Sequence, residues 1–306
     1  MTRKVQLLGA GLALLGGVLW AVSGTCGQYL FQWKNFDAQW VVTVRLLCAG
    51  VIMLTISFLK QGKHAFDIWK TKKDRKELII YGIIGMLGVQ YTYFLAIQFS
   101  NATTATVLQY MAPPMIMLYM LLRLKKGPTK IEIISVILAL VGIFLLVTHG
   151  NINALVISES ALFWGLLSAV ALAFYSIYPK RMLNEWGTLL TNGWGMLIGG
   201  CVIGLVRRPW EYGDGIWDMG AVLALLGVII FGTILSFFCY LEGVRLIGPT
   251  KASIYACIEP VSAALIGIAF LNLQFVTLDW IGSAMIIATA ILLSLKPKEK
   301  EKEKIE

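Results

Sequence analysis

Residues 247–261, IGPTKASIYACIEPV, lie 147 positions beyond residues 100–114, SNATTATVLQYMAPP, and the two stretches share an order of small, polar and proline positions. At that offset Thr103 falls on Thr250, Ala105 on Ala252 and Pro113 on Pro260, and upstream Tyr93 meets Tyr240. After one extra residue Thr129, Ile133 and Ser135 meet Thr277, Ile281 and Ser283. A few identities among small residues arise by chance, so the weight rests on the matching order of apolar runs, connectors and mid-run prolines. The chain reads as a duplication.

What is duplicated follows from hydropathy. The 306 residues are 58% hydrophobic and 14% charged, with a mean hydropathy of +0.76, more apolar surface than a soluble core of this size can hide. A helix needs about 20 mostly apolar residues to cross a bilayer. Runs of that kind fall at about 7–30, 38–59, 78–99, 102–123, 130–149, 159–179, 188–206, 219–243, 250–272 and 277–295. The expected fold class is an all-α integral membrane protein of ten transmembrane helices. Five per half is an odd number, so the second copy enters the membrane from the opposite side, giving two inverted five-helix repeats. The expected units are residues 1–150, residues 155–296 and a charged tail, 297–306.

Charge sets the expected orientation. Of the Lys and Arg residues, 22 fall at the termini and in the connectors on one side, whereas the other side holds Lys34, Arg207 and Arg208. The rule that basic residues stay inside places both termini in the cytoplasm of a multi-pass cell-membrane protein. The net charge of +9 is thereby explained without nucleic acid as a partner. Five cysteines are scattered with no CxxC spacing and read as small buried hydrophobes, and His64 and His149 have no neighbours in sequence that would make a metal site. GxxxxGK is missing, which argues against ATP-driven work by this chain alone. No cofactor and no metal is expected.

With these stretches set out, the chain resembles the EamA-type transporters of the drug/metabolite transporter superfamily from about residue 7 to 296. The resemblance rests on GGVLWAVSGTCGQYL, RLLCAG, SNATTATVLQYMAPP, LIGPTKASIYACIEPVSAAL and DWIGSAMIIATAILL, in that order. It implies helices arranged around a central cavity lined largely by the third, fourth, eighth and ninth spans, and the outward movement of amino acids, related metabolites or drug-like molecules. The first half departs from the second by carrying Met-Ala-Pro-Pro where the second has Ile-Glu-Pro-Val, so an acidic role carries over to one half only.

Glu259 is the candidate for that role. It lies eight residues beyond Lys251, about 12 Å along a helix in a hydrocarbon core about 30 Å thick. Ionisable groups at that depth face a bundle interior or cavity and mark substrate or proton paths, and a carboxyl removed from water suits a proton carrier. Pro260 and Pro113 interrupt helices at matching places and free backbone carbonyls for a substrate or cation. The plainer readings are that Glu259 holds a neighbouring helix and that the prolines set curvature. Arg45 either reaches the interface along its stem, pairs structurally, or grips a substrate carboxylate with two prongs. Trp20, Tyr91, Tyr110, Tyr175, Tyr178, Trp194 and Tyr255 offer aromatic faces for an organic cation or aromatic molecule, or else fill the core and anchor the interface. Gln90 and Gln109 are polar enough to complete such a site. Two GxxxG spacings, 195 to 199 and 200 to 204, allow close helix packing within a protomer or in a homodimer.

The expected function is a secondary transporter of small organic metabolites, an exporter working by alternating access with proton coupling through Glu259, whose partners are its cargo and membrane lipids. The rival class is an integral-membrane enzyme or lipid-handling protein, which calls for clustered His, Asp or Lys near one membrane face, a pattern this chain lacks.

Overall fold

In a computed structural model, residues 3–124, 130–151, 156–211, 213–247, 252, 255–256 and 258–295 are described, and every element among them is helical. The first half contains α1 (Arg3–Gln32), α2 (Ala38–Gln61), α3 (Lys72–Ile80), α4 (Gly88–Phe99), α5 (Ala102–Gln109), α6 (Ala112–Leu124) and α7 (Lys130–Thr148). The second contains α8 (Glu159–Ile177), α9 (Lys180–Trp186), α10 (Thr188–Val206), α11 (Met219–Leu226), α12 (Ser236–Ile247), α13 (Ile258–Leu271) and α14 (Thr277–Leu295). Polar side chains start several of them. Asn101 accepts the Thr104 amide at 2.8 Å to open α5, Ser158 accepts that of Ala161 at 3.1 Å to open α8, and Asp218 accepts that of Ala221 at 2.8 Å to open α11.

Among the described residues six helices are long and apolar enough to cross a bilayer: Lys4–Gln32, Ala38–Trp69, Lys72–Phe99, Glu159–Ile177, Thr188–Val206 and Met219–Tyr240. Shorter apolar helices run Ile133–Leu146, Ile258–Leu271 and Thr277–Thr289. Where a single fourth span was expected from 102 to 123, the chain makes two helices with a turn at Tyr110 and Met111. Pro113 is the second residue of the resumed helix, and Pro260 is the third residue of α13. A proline is tolerated in a first turn, where its missing N–H has no partner to lose, and Pro113 sits where a helix begins again after the turn at Tyr110 and Met111; Cys257, just before α13, lies outside the described residues. Thr129, Thr250 and Lys251 lie outside the described residues.

Two features were not expected from sequence. α3 and α4 are joined without a break by a π-helical stretch, Tyr81–Leu87, and α11 and α12 by another, Gly227–Leu235. The repeat offset of 147 carries Tyr81 onto position 228, so the wide turns occupy corresponding places.

Packing joins the halves in reciprocal pairs: α2 with α10, α7 with α14, α1 with α12, and α4 with α8. Gly50 backs onto Leu197, Gly200 onto Leu47, and Gly193 onto Leu54. Numbers fall along α10 as they rise along α2, so these helices are antiparallel. The same holds for α7 and α14, where Gly142 and Gly282 touch backbone to backbone and Thr289 bonds the Ser135 carbonyl. Gly195 and Gly199 lie against Met86 and Leu87, so these glycines of the GxxxG pair serve packing inside the protomer.

Candidate functional site

The turn between α5 and α6 meets the backbone just ahead of α13. Tyr110, at the turn before α6, donates its hydroxyl to the Ala256 carbonyl at 3.0 Å, just ahead of α13. The same hydroxyl lies near the Glu259 carboxyl, which is buried in the first turn of α13. α1 closes over this junction. A Cβ on Gly17 would stand 2.9 Å from the Ala256 carbonyl oxygen, so only glycine lets α1 approach so near.

Around the carboxyl the first half supplies Tyr93, buried on α4, whose hydroxyl bonds Thr106 at 2.7 Å and which lies within electrostatic reach of both Glu259 and Arg45. α1 supplies Trp20, its ring 5.5 Å from Phe237 and 5.1 Å from Tyr240. The carboxyl and the phenols of Tyr93 and Tyr110 near it can hold a cationic end by charge and by aromatic faces, while Trp20 is placed by its packing on Phe237 and Tyr240.

Arg45 is 3% exposed, buried within the helix bundle. Its Nε donates to Thr233 Oγ1 at 2.8 Å and its Nη2 to the Gly232 carbonyl at 3.1 Å, with the guanidinium 4.8 Å above the Phe94 ring. Both oxygens belong to the π-helical stretch of the second half. The counterpart of Arg45 at the repeat offset is Asn192 on α10, which accepts a 2.6 Å hydrogen bond from Tyr81, the first residue of the π-helical stretch in the first half. Tyr175 stacks on Tyr81 at 5.7 Å, completing a second buried polar group.

The remaining candidates divide. Tyr91 sets its ring against Trp164 at 5.8 Å, and Gln90 is buried beside it on α4. Gln109 is half-buried at the end of α5, next to Tyr110. Tyr178 stacks on Phe174 at 4.8 Å. Trp194 donates to the Ala65 carbonyl at 3.1 Å and packs on Trp69 at 5.1 Å, which ties it to the connector after α2 and not to Glu259. Tyr255 is 39% exposed. Tyr81, Tyr93, Thr106, Asn192 and Phe237 were not singled out from sequence. Extending the repeat alignment to position 45 would have found Asn192. Among the described residues no three His, Cys, Asp or Glu side chains gather as metal ligands.

The chain matches the EamA-like transporter family over residues 7–148 and again over 159–295. It is 40% identical, over 98% of both chains, to the uncharacterized inner membrane transporter YicL of Salmonella typhimurium. It is 23% identical, over 86% of its length and 84% of the relative's, to the threonine/homoserine exporter RhtA of Escherichia coli. A solved crystal structure of a protein 15% identical superposes with a TM-score of 0.60 over 95% of this chain and 96% of its own, a likeness of fold.

Proposed function

This chain belongs to the EamA-like transporter family of multi-pass membrane proteins, and we propose that it exports small amine-bearing metabolites, amino acids among them, by alternating access between two inverted five-helix halves. The observation that carries this reading is the bond from Tyr110, at the break in the fourth span, to the Ala256 carbonyl, which joins the two proline-bearing segments at matching places of the repeat with Glu259 near them. Interrupted helices at corresponding places of two halves are where secondary transporters bind cargo. The antiparallel crossings of α2 with α10 and of α7 with α14 support inversion, since corresponding helices of an inverted pair must run in opposite directions. The second match of the family, over 159–295, supports the duplication.

The buried carboxyl favours a cationic group on the cargo, and Trp20, Tyr93 and Tyr110 supply faces for the rest of it. Arg45 is occupied by the π-helical stretch and is not free to grip a substrate carboxylate. Glu259 exchanges a proton for the cationic cargo, so that an inward proton gradient drives export. Outward direction draws on the RhtA relative, and the bias of basic residues puts both termini in the cytoplasm.

The test is flux in liposomes carrying the full-length protein. Labelled threonine, homoserine, diamines and aromatic amines are loaded, and their exchange with unlabelled cargo is followed with and without a pH gradient. Saturable exchange of an amine-bearing compound supports the reading. Chemical conversion of the compounds, or non-saturable leakage, overturns it.

A further inference from the structure

The connector between α2 and α3 has a second property, unrelated to cargo. Its first part, Gly62–Trp69, winds as a tight 3₁₀ segment that buries Ala65 and Ile68 and leaves Phe66 52% exposed. Phe66 sets its edge against Phe58 at 6.2 Å, and Phe58 is itself 46% exposed on the last turns of α2. An exposed aromatic surface thus passes from a spanning helix straight into the connector, the kind of surface that settles among headgroups at a membrane face.

The acids here are already engaged. Asp67 pairs with Lys70 at 2.8 Å and with His64 at 3.0 Å. Asp74 and Glu77 both bond Arg181 of α9, and Asp74 also accepts the Thr71 hydroxyl at 2.7 Å. Those bonds to Asp74 and Glu77 raise the Arg181 pKa above its ordinary value. What remains is Lys60, Lys63, Lys72, Lys73, Arg75 and Lys76, all exposed and none paired with a carboxylate among the described residues. Six uncompensated cations beside an exposed phenyl ring ask for anions held at a membrane surface.

We propose that this connector, residues 60–76, is a binding site for anionic phospholipid headgroups. Clustered basic residues next to a spanning helix attract anionic lipids within about a Debye length, and long Lys and Arg stems reach the phosphate plane from either side of it. A soluble acidic protein would meet the charges but not Phe66, which lies toward the acyl chains together with Phe58. The proposal rests on the membrane location alone and stands whatever the cargo is.

The full-length protein in nonionic detergent is titrated with micelles containing phosphatidylglycerol, with micelles containing phosphatidylcholine, and with sodium phosphate, and its thermal midpoint is read. Phosphatidylglycerol is expected to raise the midpoint further than phosphatidylcholine. The variant carrying Lys72→Gln, Lys73→Gln, Arg75→Gln and Lys76→Gln is expected to lose that extra shift while keeping its midpoint in phosphatidylcholine. About 1 M salt, where the Debye length is about 3 Å, should erase the extra shift in the unaltered protein. An extra shift kept by the variant, or surviving high salt in the unaltered protein, overturns the site. Phosphate alone reproducing it overturns the lipid as occupant.

Discussion

Arg45 donates from Nη2 to the carbonyl of Gly232 at 3.1 Å, joining α2 of the first half to the π-helical stretch of the second. An i→i+5 turn set into an i→i+4 ladder leaves a carbonyl over, and a donor from a neighbouring helix can take it. At the repeat position of Arg45, Asn192 on α10 instead accepts the hydroxyl of Tyr81, a side chain at the start of the other π-helical stretch, and takes no carbonyl there. Each half thus meets the π-helical stretch of the other through a different kind of hydrogen bond.

Arg45→Lys is expected to lower the thermal midpoint, because a lysine keeps the buried charge but cannot reach Thr233 and Gly232 together or lie flat on Phe94. The loss should be about 1 to 3 kcal/mol, the cost of leaving a buried partner unsatisfied. Asn192→Ala orphans Tyr81 and should cost a similar amount. A melting curve of each variant checks both, and a lysine variant as stable as the parent would remove Arg45 from this role.

Glu259→Gln is expected to abolish flux driven by a pH gradient while cargo exchange persists, since glutamine keeps the shape and hydrogen bonds but carries no titrating proton. Stability should stay within about 1 kcal/mol of the parent, as expected for a near-isosteric change, and a melting curve checks it. Unchanged coupling would show that another group carries the proton.

Tyr110→Phe deletes the hydroxyl that bonds the Ala256 carbonyl near Glu259 and leaves the ring. Cargo affinity should fall about 2- to 10-fold, which corresponds to one net hydrogen bond of about 0.5 to 1.5 kcal/mol. Half-saturation of exchange measures it. An unaltered value would mean that Tyr110 fastens the helix junction without touching cargo.

The restart at Pro113 was legible because proline acts through the backbone, and the offset of 147 pairs it with Pro260 in the sequence. The burial of Glu259 was legible because an ionisable group in an apolar run is expected to face a bundle interior. What stayed hidden depends on helix rotation and on the direction in which long side chains run. Tyr93 entered the sequence argument only as a repeat position, yet α4 turns it toward Glu259. Trp194 has the composition of a cargo contact, but its helix points it at Trp69. The π-helical stretches have no residue signature, since Tyr81–Leu87 is as apolar and glycine-containing as any packing segment.

The crossing of α2 and α10 gives the sharpest test of rocking between halves. A Cβ on Gly50 would stand 2.7 Å from the nitrogen of Leu197 and 3.0 Å from its Cα. These are backbone atoms and cannot swing aside, so Gly50→Ala must push the two helices apart, and overpacking of this kind costs about 1 to 3 kcal/mol. Gly204→Ala on the same α10 is the control, because its Cβ meets Thr43 at an ordinary 3.6 Å and alanine favours a helix by about 0.5 to 1 kcal/mol. The first variant should melt below the parent and the second at or above it. If the halves rock about this contact, Gly50→Ala should also slow exchange beyond what its lower stability explains, measured well below its melting temperature. Equal stability of the two variants would mean that the crossing is looser than the Gly50 to Leu197 approach implies, and normal exchange in a destabilised Gly50→Ala would place the pivot elsewhere.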